Sequence, residues 1–186
     1  MMNSVGTGVT VDRAHEIIDA GLGAWNFSVD TLDPAKYERL RGVRDALPTI
    51  MRAIATVREA GSRNAEFRMN YMVVITRENF REIPRLVAHC LDTGIASIYL
   101  MNVYGDATGG CLLTVAEISE FRGRVVPDIL AVLADKNAPE VVRDNATQVL
   151  DTFFPGRTRM RTMPAGSTSL TCPRPRRPAG CWTSTL

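Results

Sequence analysis

From residue 3 to about residue 104 the chain alternates short apolar runs with helical patterns, and three of those patterns end at a glycine. The apolar runs are rich in β-branched and aromatic residues and predict strands over residues 1–5, 25–29, 67–74 and 95–103. Gly21, Gly61 and Gly94 are each predicted to adopt the left-handed conformation that ends a helix. Strands that alternate with helices pair in parallel through crossover connections. The pattern therefore predicts an α/β fold, as a large part of a β/α barrel or as an open sheet.

Capping signals predict where several helices begin. Asn79 and Glu82 have the spacing of a capping box before the third helix. Thr114 and Glu117 have the same spacing and predict a helix through about residue 134, which Pro127 should kink or divide. A further helix is predicted from about residue 139 to residue 153.

The charge distribution separates the end of the chain from its body. Residues 157–186 contain six arginines and no Asp or Glu, although the whole chain has 22 basic and 20 acidic residues. Such a composition buries little apolar area, and a shifted reading frame in a GC-rich gene would produce it. A basic arm for nucleic acid is the competing interpretation, although Trp182 is the one aromatic residue there. We expect a partial barrel over residues 1–105, a helical C-terminal region over 106–156 and a disordered basic tail over 157–186.

Polar residues stand at the predicted carboxyl ends of the strands, where parallel α/β folds place their ligands. Asn3, Ser28, Asp30 and Asn70 follow this rule in the first three strands, and Asn102 and Tyr104 follow it in the fourth. A structural interpretation competes with the functional one at several of these positions. Asp30 and the nearby Asp33 also suit a turn and a helix cap.

Residues 24–42 read AWNFSVDTLDPAKYERLRG and combine Ser-x-Asp, Asp-Pro-x-x-Tyr and Arg-Gly. This string resembles the fourth-strand region of radical S-adenosylmethionine (SAM) enzymes. MNSVGTGVT at 2–10, RMNYMVVITRENFREI at 68–83 and IYLMNV at 98–103 are similar to strands three, five and six of the same superfamily. The resemblance covers residues 2 to about 104 and implies a partial TIM-type β/α barrel with parallel strands, followed by the helical region and the irregular tail.

The resemblance also implies a site for SAM beside a [4Fe-4S] cluster. Ser28 would hydrogen-bond SAM, and Asn70 and Arg68 would help to hold the polar groups of SAM. Met101 would pack on the adenine, although a methionine at such a position also suits a protein core. The residues matched to cofactor-binding positions are Asn3, Ser28, Asp30, Arg68, Asn70 and Met101.

The cysteines do not supply the cluster ligands that the resemblance calls for. Three thiolates hold such a cluster, and the Cys-x-x-x-Cys-x-x-Cys motif of the superfamily is absent from the sequence. Cys90, Cys111, Cys172 and Cys181 have no spacing typical of a zinc or redox site, so reduced thiols and no metal site are expected. We therefore expect an N-terminally truncated chain that is inactive on its own.

The functional hypothesis is a fragment of a radical SAM enzyme, which would generate a 5′-deoxyadenosyl radical to modify a peptide or a small biosynthetic intermediate. The first alternative is a non-catalytic binding or assembly module derived from the same fold. A weaker alternative is an unrelated α/β-barrel enzyme that uses Asp30 and Asn70 in acid–base or phosphate chemistry, although the sequence has no Gly-rich phosphate loop to support it. The sequence has no apolar run of membrane-spanning length and no signal peptide, which predicts a cytoplasmic protein without membrane contact. Nucleic acid is not an expected partner, and the exposed edges of an incomplete barrel predict self-association.

Overall fold

The computed structural model describes residues 1–4, 6, 8–103 and 110–153. A four-stranded sheet lies at its centre, in which the strands follow chain order and every neighbouring pair is parallel. The strands are β1 (Met2–Ser4), β2 (Ala24–Ser28), β3 (Arg68–Ile75) and β4 (Ser97–Asn102). The predicted α/β fold with a parallel sheet is confirmed, and the strand order is consistent with part of a β/α barrel.

Helices occupy most of the remaining described chain. They are α1 (Val11–Asp19), α2 (Pro34–Arg41), α3 (Ala46–Gly61), α4 (Ile83–Asp92), α5 (Val115–Glu120), α6 (Val126–Asp135) and α7 (Glu140–Thr147). Short 3-10 turns cover Phe80–Glu82 and Leu150–Phe153. The capping box at Thr114 and Glu117 is confirmed, and a π-helical turn over Phe121–Val125 interrupts the long helix just before Pro127. Proline has no N–H to continue the helical hydrogen bonds, which explains an interruption at this place.

One of the predicted glycine helix ends is wrong. Gly21 and Gly94 have the positive φ angles expected of helix ends, at 97° and 66°. Gly61 instead is the last residue of α3 and has no positive φ. A Cβ atom there would collide with the ring of Phe67, so close packing and not backbone conformation requires the glycine.

The alternation of side chains along the strands gives the sheet two different faces. One face packs against helices: Phe27 and Tyr71 are fully buried, and the Tyr71 ring stacks on His89 of α4. The opposite face, which we call the open face, carries Asn26, Ser28, Asn70, Met72, Val74, Ser97, Tyr99 and Met101. Several of these side chains stay partly exposed, including Ser28, Met72 and Met101. In a β/α barrel this face lines the interior.

The C-terminal helices share a core with the sheet. Helix α6 packs on α4, and α7 packs on β4. Phe121 joins the two parts, since its ring lies 6.4 Å from that of Phe80 and 4.6 Å from that of Phe153. The boundary near residue 105 stays a prediction, and Tyr104 and the predicted tail lie outside the described residues. No described helix is both long enough and apolar enough to cross a membrane.

Candidate functional site

The segment from Ser28 to Gly42 is held together by contacts among its own residues. Asp33 caps α2, because its Oδ1 accepts the backbone N–H of Lys36 at 3.0 Å, and this bond holds the pKa of the Asp33 carboxyl below its ordinary value. The Tyr37 hydroxyl donates to the carbonyl oxygen of Ser28 at 2.9 Å. Gly42 ends the helix with a φ of 68°. The predicted cap role of Asp33 is therefore confirmed.

Asp30 lies just beyond the end of β2 and is buried, with 5% of its surface exposed. Its Oδ1 accepts the backbone N–H of Val74 at 2.9 Å, and its Oδ2 pairs with Nη2 of Arg41 at 2.5 Å. Burial raises the pKa of the Asp30 carboxyl, while the charge of Arg41 and the Val74 N–H oppose this shift. Both carboxylate oxygens are engaged by the protein, and the side chain continues the pairing of β2 with β3 past the last strand residue.

The side chain of Asn79 connects the carboxyl ends of β2 and β3. Its side chain is fully buried, and Nδ2 donates to the carbonyl oxygens of Asp30 and Val74, each at 2.8 Å. Its Oδ1 accepts the backbone N–H of Thr76 at 2.7 Å. The capping box predicted for Asn79 and Glu82 is wrong, because the Asn79 amide satisfies strand-end groups that would otherwise be buried without partners.

Glu82 serves the same region and not a helix cap. Its carboxylate accepts the hydroxyl of Thr31 at 2.5 Å and forms an ion pair with Lys36. It thereby joins the turn before α4 to the turn that precedes α2. The polar groups at this rim are therefore matched to one another, which keeps the loop after β2 in place.

A row of polar side chains crosses the open face. Asn26 donates through Nδ2 to Oδ1 of Asn3 at 2.8 Å, and Asn70 donates to Oδ1 of Asn26 at the same distance. Asn70 is paired in register with Ser97, whose Oγ accepts Nδ2 of Asn145 from α7 at 2.7 Å. Asn26 and Asn70 are buried, so the amides must pair with each other. A one-residue slip would break every link, and the polar row therefore fixes the register of the sheet.

An open groove of about 450 Å³ lies between the β3–β4 part of the open face and α7. Its sheet side includes Met72, Tyr99, Met101 and Asn102, and the opposite side includes Asn145 of α7 and Gln148, which directly follows α7. The volume falls within the range of about 300–1,000 Å³ that is usual for small-molecule sites. The groove is thus large enough for a ligand and combines apolar walls with three carboxamides, those of Asn102, Asn145 and Gln148.

A second cleft, of about 300 Å³, lies at the carboxyl ends of the strands. Asp30, Arg41, Val74 and Cys111 are among its lining residues. Val74 is paired in register with Met101, which lines the first groove, so the two depressions are neighbours on the open face.

The structure brings together most of the residues predicted for the cofactor site. The predicted place of Asn70 at the carboxyl end of its strand is wrong, because Asn70 is the third residue of β3, which continues to Ile75. Ser28, Asn70 and Met101 share the open face, and Asn3 joins them through the polar row. The Ser28 hydroxyl has no hydrogen-bond partner among the described residues. Arg68 lies apart, at the first residue of β3, where its guanidinium donates to the carbonyl oxygens of neighbouring residues. The roles of all these residues toward a cofactor stay predictions.

The described cysteines do not fit a four-iron cluster. Cys90 is fully buried in α4, and burial raises the pKa of its thiol to about 12, which disfavours the thiolate that a metal requires. Cys111 is exposed at the rim. In the part of the chain that the structure describes, no three His, Cys, Asp or Glu side chains are grouped as a metal site requires.

Sequence reasoning missed several residues that shape this site. Asn26 stands two positions before Ser28, and the alternation of the strand would have placed it on the same face. Asn145 and Gln148 left no signal, because their position depends on where α7 docks. The ion pair of Arg41 with Asp30 was not predictable from the local pattern either, because the two residues are 11 positions apart and meet across a turn.

Comparison with known proteins finds a distant similarity to a curated protein. A probable GTP 3′,8-cyclase from Sulfolobus acidocaldarius is 27% identical to this chain over 122 residues. The matched stretch is 65% of this chain and 37% of that protein, so the chain matches well under half of its relative's length. No protein-family model matches the sequence.

Proposed function

We propose that this chain is a partial barrel of the radical SAM type, whose open face binds the adenosyl part of SAM. GTP 3′,8-cyclases are members of the radical SAM superfamily, so the distant similarity supports the same origin as the motif of residues 24–42. The parallel sheet supports it as well, because it has the strand order that such a barrel requires.

The observation that carries the proposal is the arrangement of Ser28, Met72 and Met101 on one accessible surface. Ser28 and Met72 are register partners in neighbouring strands, and Met101 follows on the next strand. A free hydroxyl suits the ribose or the polar end of the ligand, and thioethers make favourable contacts with an aromatic base. Asp30 and Asn70 are less suited to the acid–base alternative, because protein partners already engage their side chains.

Radical chemistry is not part of the function that we propose for this chain alone. A four-iron cluster supplies the electron for SAM cleavage in the superfamily, and the described cysteines do not fit one. A complete enzyme of this type would modify a peptide or a small biosynthetic intermediate, and the relative adds a purine nucleotide as a candidate substrate. The contribution of this chain is to bind and orient the adenosyl group.

Equilibrium binding of SAM and of 5′-deoxyadenosine to the full chain tests the proposal. Ser28→Ala should weaken binding by about twofold to tenfold, or up to about a hundredfold if the hydroxyl contacts a charged group of SAM. Ser62→Ala is the matched control, since that exposed hydroxyl donates to a carbonyl oxygen at the end of α3. Asp33→Ala should lower stability by about 0.5–2 kcal/mol and leave SAM affinity unchanged.

Two outcomes would refute the proposal: no binding of either adenosyl ligand, or equal affinities in the wild type and Ser28→Ala. Anaerobic reconstitution with iron and sulfide tests the second part. We expect no stable cluster absorbance and no 5′-deoxyadenosine. Formation of both would overturn the assignment of a binding role without radical chemistry.

A further inference from the structure

Asn145 of helix α7, with Gln148 and Val149 just after the helix, lines the groove opposite Met72, Tyr99 and Met101. Helix α7 packs directly on β4, and its inward residues Val142 and Ala146 are buried. This side of the groove is therefore anchored to the sheet and is not a loosely attached surface element. The polar residues on this side of the groove are Asn145 of α7 and Gln148, the residue that follows the helix.

The amide of Asn145 has a defined orientation. Its Nδ2 donates to Oγ of Ser97 at 2.7 Å, and Ser97 is itself buried at the end of the polar row. In this structure the nitrogen therefore faces the sheet, and Oδ1 has no protein partner among the described residues. A ligand that fills the groove is therefore offered an acceptor at this point, and it must supply a donor to satisfy it.

Gln148 lies one turn of chain beyond Asn145 and is exposed. Its carboxamide has no hydrogen-bond partner in the described part of the chain, so it can offer both a donor and an acceptor. The opposite wall includes two methionines and a tyrosine ring, which suit the flat face of an aromatic ligand, together with Leu100 and the carboxamide of Asn102. The groove thus has a surface for stacking and, facing it, carboxamides for hydrogen bonds with the edge of a base.

We infer that Asn145 and Gln148 form hydrogen bonds with the edge of the base and thereby select a 6-aminopurine over a 6-oxopurine. They are the specificity-determining residues on the α7 side of the groove. This inference rests on the proposed function, because it concerns the same groove. The exocyclic amino group of adenine donates to Oδ1 of Asn145, whereas the carbonyl oxygen of a 6-oxopurine would face that acceptor with another acceptor. Gln148 can pair with the ring nitrogen beside the amino group.

Competition binding with adenosine, purine riboside and inosine on the full chain tests this selectivity. We expect adenosine to bind about threefold to tenfold more tightly than inosine, with purine riboside between them, since one neutral hydrogen bond separates the ligands. Asn145→Ala should reduce this ratio toward unity. Gln148→Ala, at an exposed position, should weaken adenosine binding about twofold to tenfold without disturbing the fold. Asn64→Ala is the control, because Asn64 is exposed and does not line the groove.

The outcomes separate this inference from the proposed function. Binding of adenosine and inosine with equal affinity would refute the selection by α7 and leave adenosyl binding intact. An adenosine-to-inosine ratio unchanged in Asn145→Ala, with adenosine affinity unchanged in Gln148→Ala, would refute it in the same way. Failure of the wild type to bind SAM, 5′-deoxyadenosine or adenosine would overturn both.

Discussion

Replacing Asn79 by alanine should be among the most destabilising single changes in this protein. The substitution removes the partners of three backbone groups, namely the carbonyl oxygens of Asp30 and Val74 and the N–H of Thr76. All three bonds involve the Asn79 side chain, which has no exposed surface. A buried group left without a partner costs about 1–3 kcal/mol, and water entering the space that the amide leaves would restore part of this. We therefore expect a loss of about 3 kcal/mol in the free energy of unfolding.

Urea denaturation followed by far-ultraviolet circular dichroism measures this loss. Asn64→Ala is the matched control, because the Asn64 side chain is exposed and accepts one backbone N–H, from Glu66 at 3.0 Å. That variant should lose at most about 1 kcal/mol. Asn79→Asp keeps the acceptor for Thr76 but faces two carbonyl oxygens with a carboxylate, so it should be at least as destabilised as Asn79→Ala at neutral pH.

A loss of less than about 1 kcal/mol in Asn79→Ala, with an unchanged dependence on urea, would refute the reasoning. It would mean that the amide does not hold the two strand ends together. Equal losses in the Asn79 and Asn64 variants would lead to the same conclusion, because the two positions differ in burial and in the number of bonds.

Two further predictions concern packing and charge. Gly61→Ala should destabilise the fold by about 1–3 kcal/mol, because the added methyl group meets the ring of Phe67. Gly123→Ala, with open space around it, should be neutral or stabilising by up to about 1 kcal/mol. Thermal unfolding of both variants checks the contrast, and similar unfolding midpoints would contradict it. Asp30→Asn should gain stability relative to the wild type as the pH rises from about 3.8 to neutrality. Burial raises the pKa of Asp30 despite the ion pair with Arg41, so the folded wild type binds a proton more tightly than the unfolded chain. This proton binding stabilises the folded wild type at low pH, and the stabilisation is lost as the pH rises. Urea denaturation across this pH range checks the trend, and a difference that does not change with pH would refute it.

The order of strands and helices and several helix ends were predictable because they depend on residues close together in the chain. Apolar alternation marks a strand locally, and the caps at Asp33 and Thr114 each join a side chain to an N–H three residues later. The motif of residues 24–42 was also visible in the sequence, and its Ser28 and Asp33 have the surface and cap positions that the pattern allows. These features need no knowledge of how the elements pack.

The tertiary structure alone decided which polar groups meet. Asn79 was predicted as a helix cap from its neighbours, but it bonds to the carbonyl oxygen of Asp30, 49 residues away. The link from Asn145 to Ser97 spans 48 residues, and it places α7 against the groove. Such contacts depend on the register of the sheet and on the burial of each group, because an amide pairs with whichever unsatisfied partner the fold brings within reach. Local pattern therefore determined the elements of this protein, and long-range packing determined the chemistry of its open face.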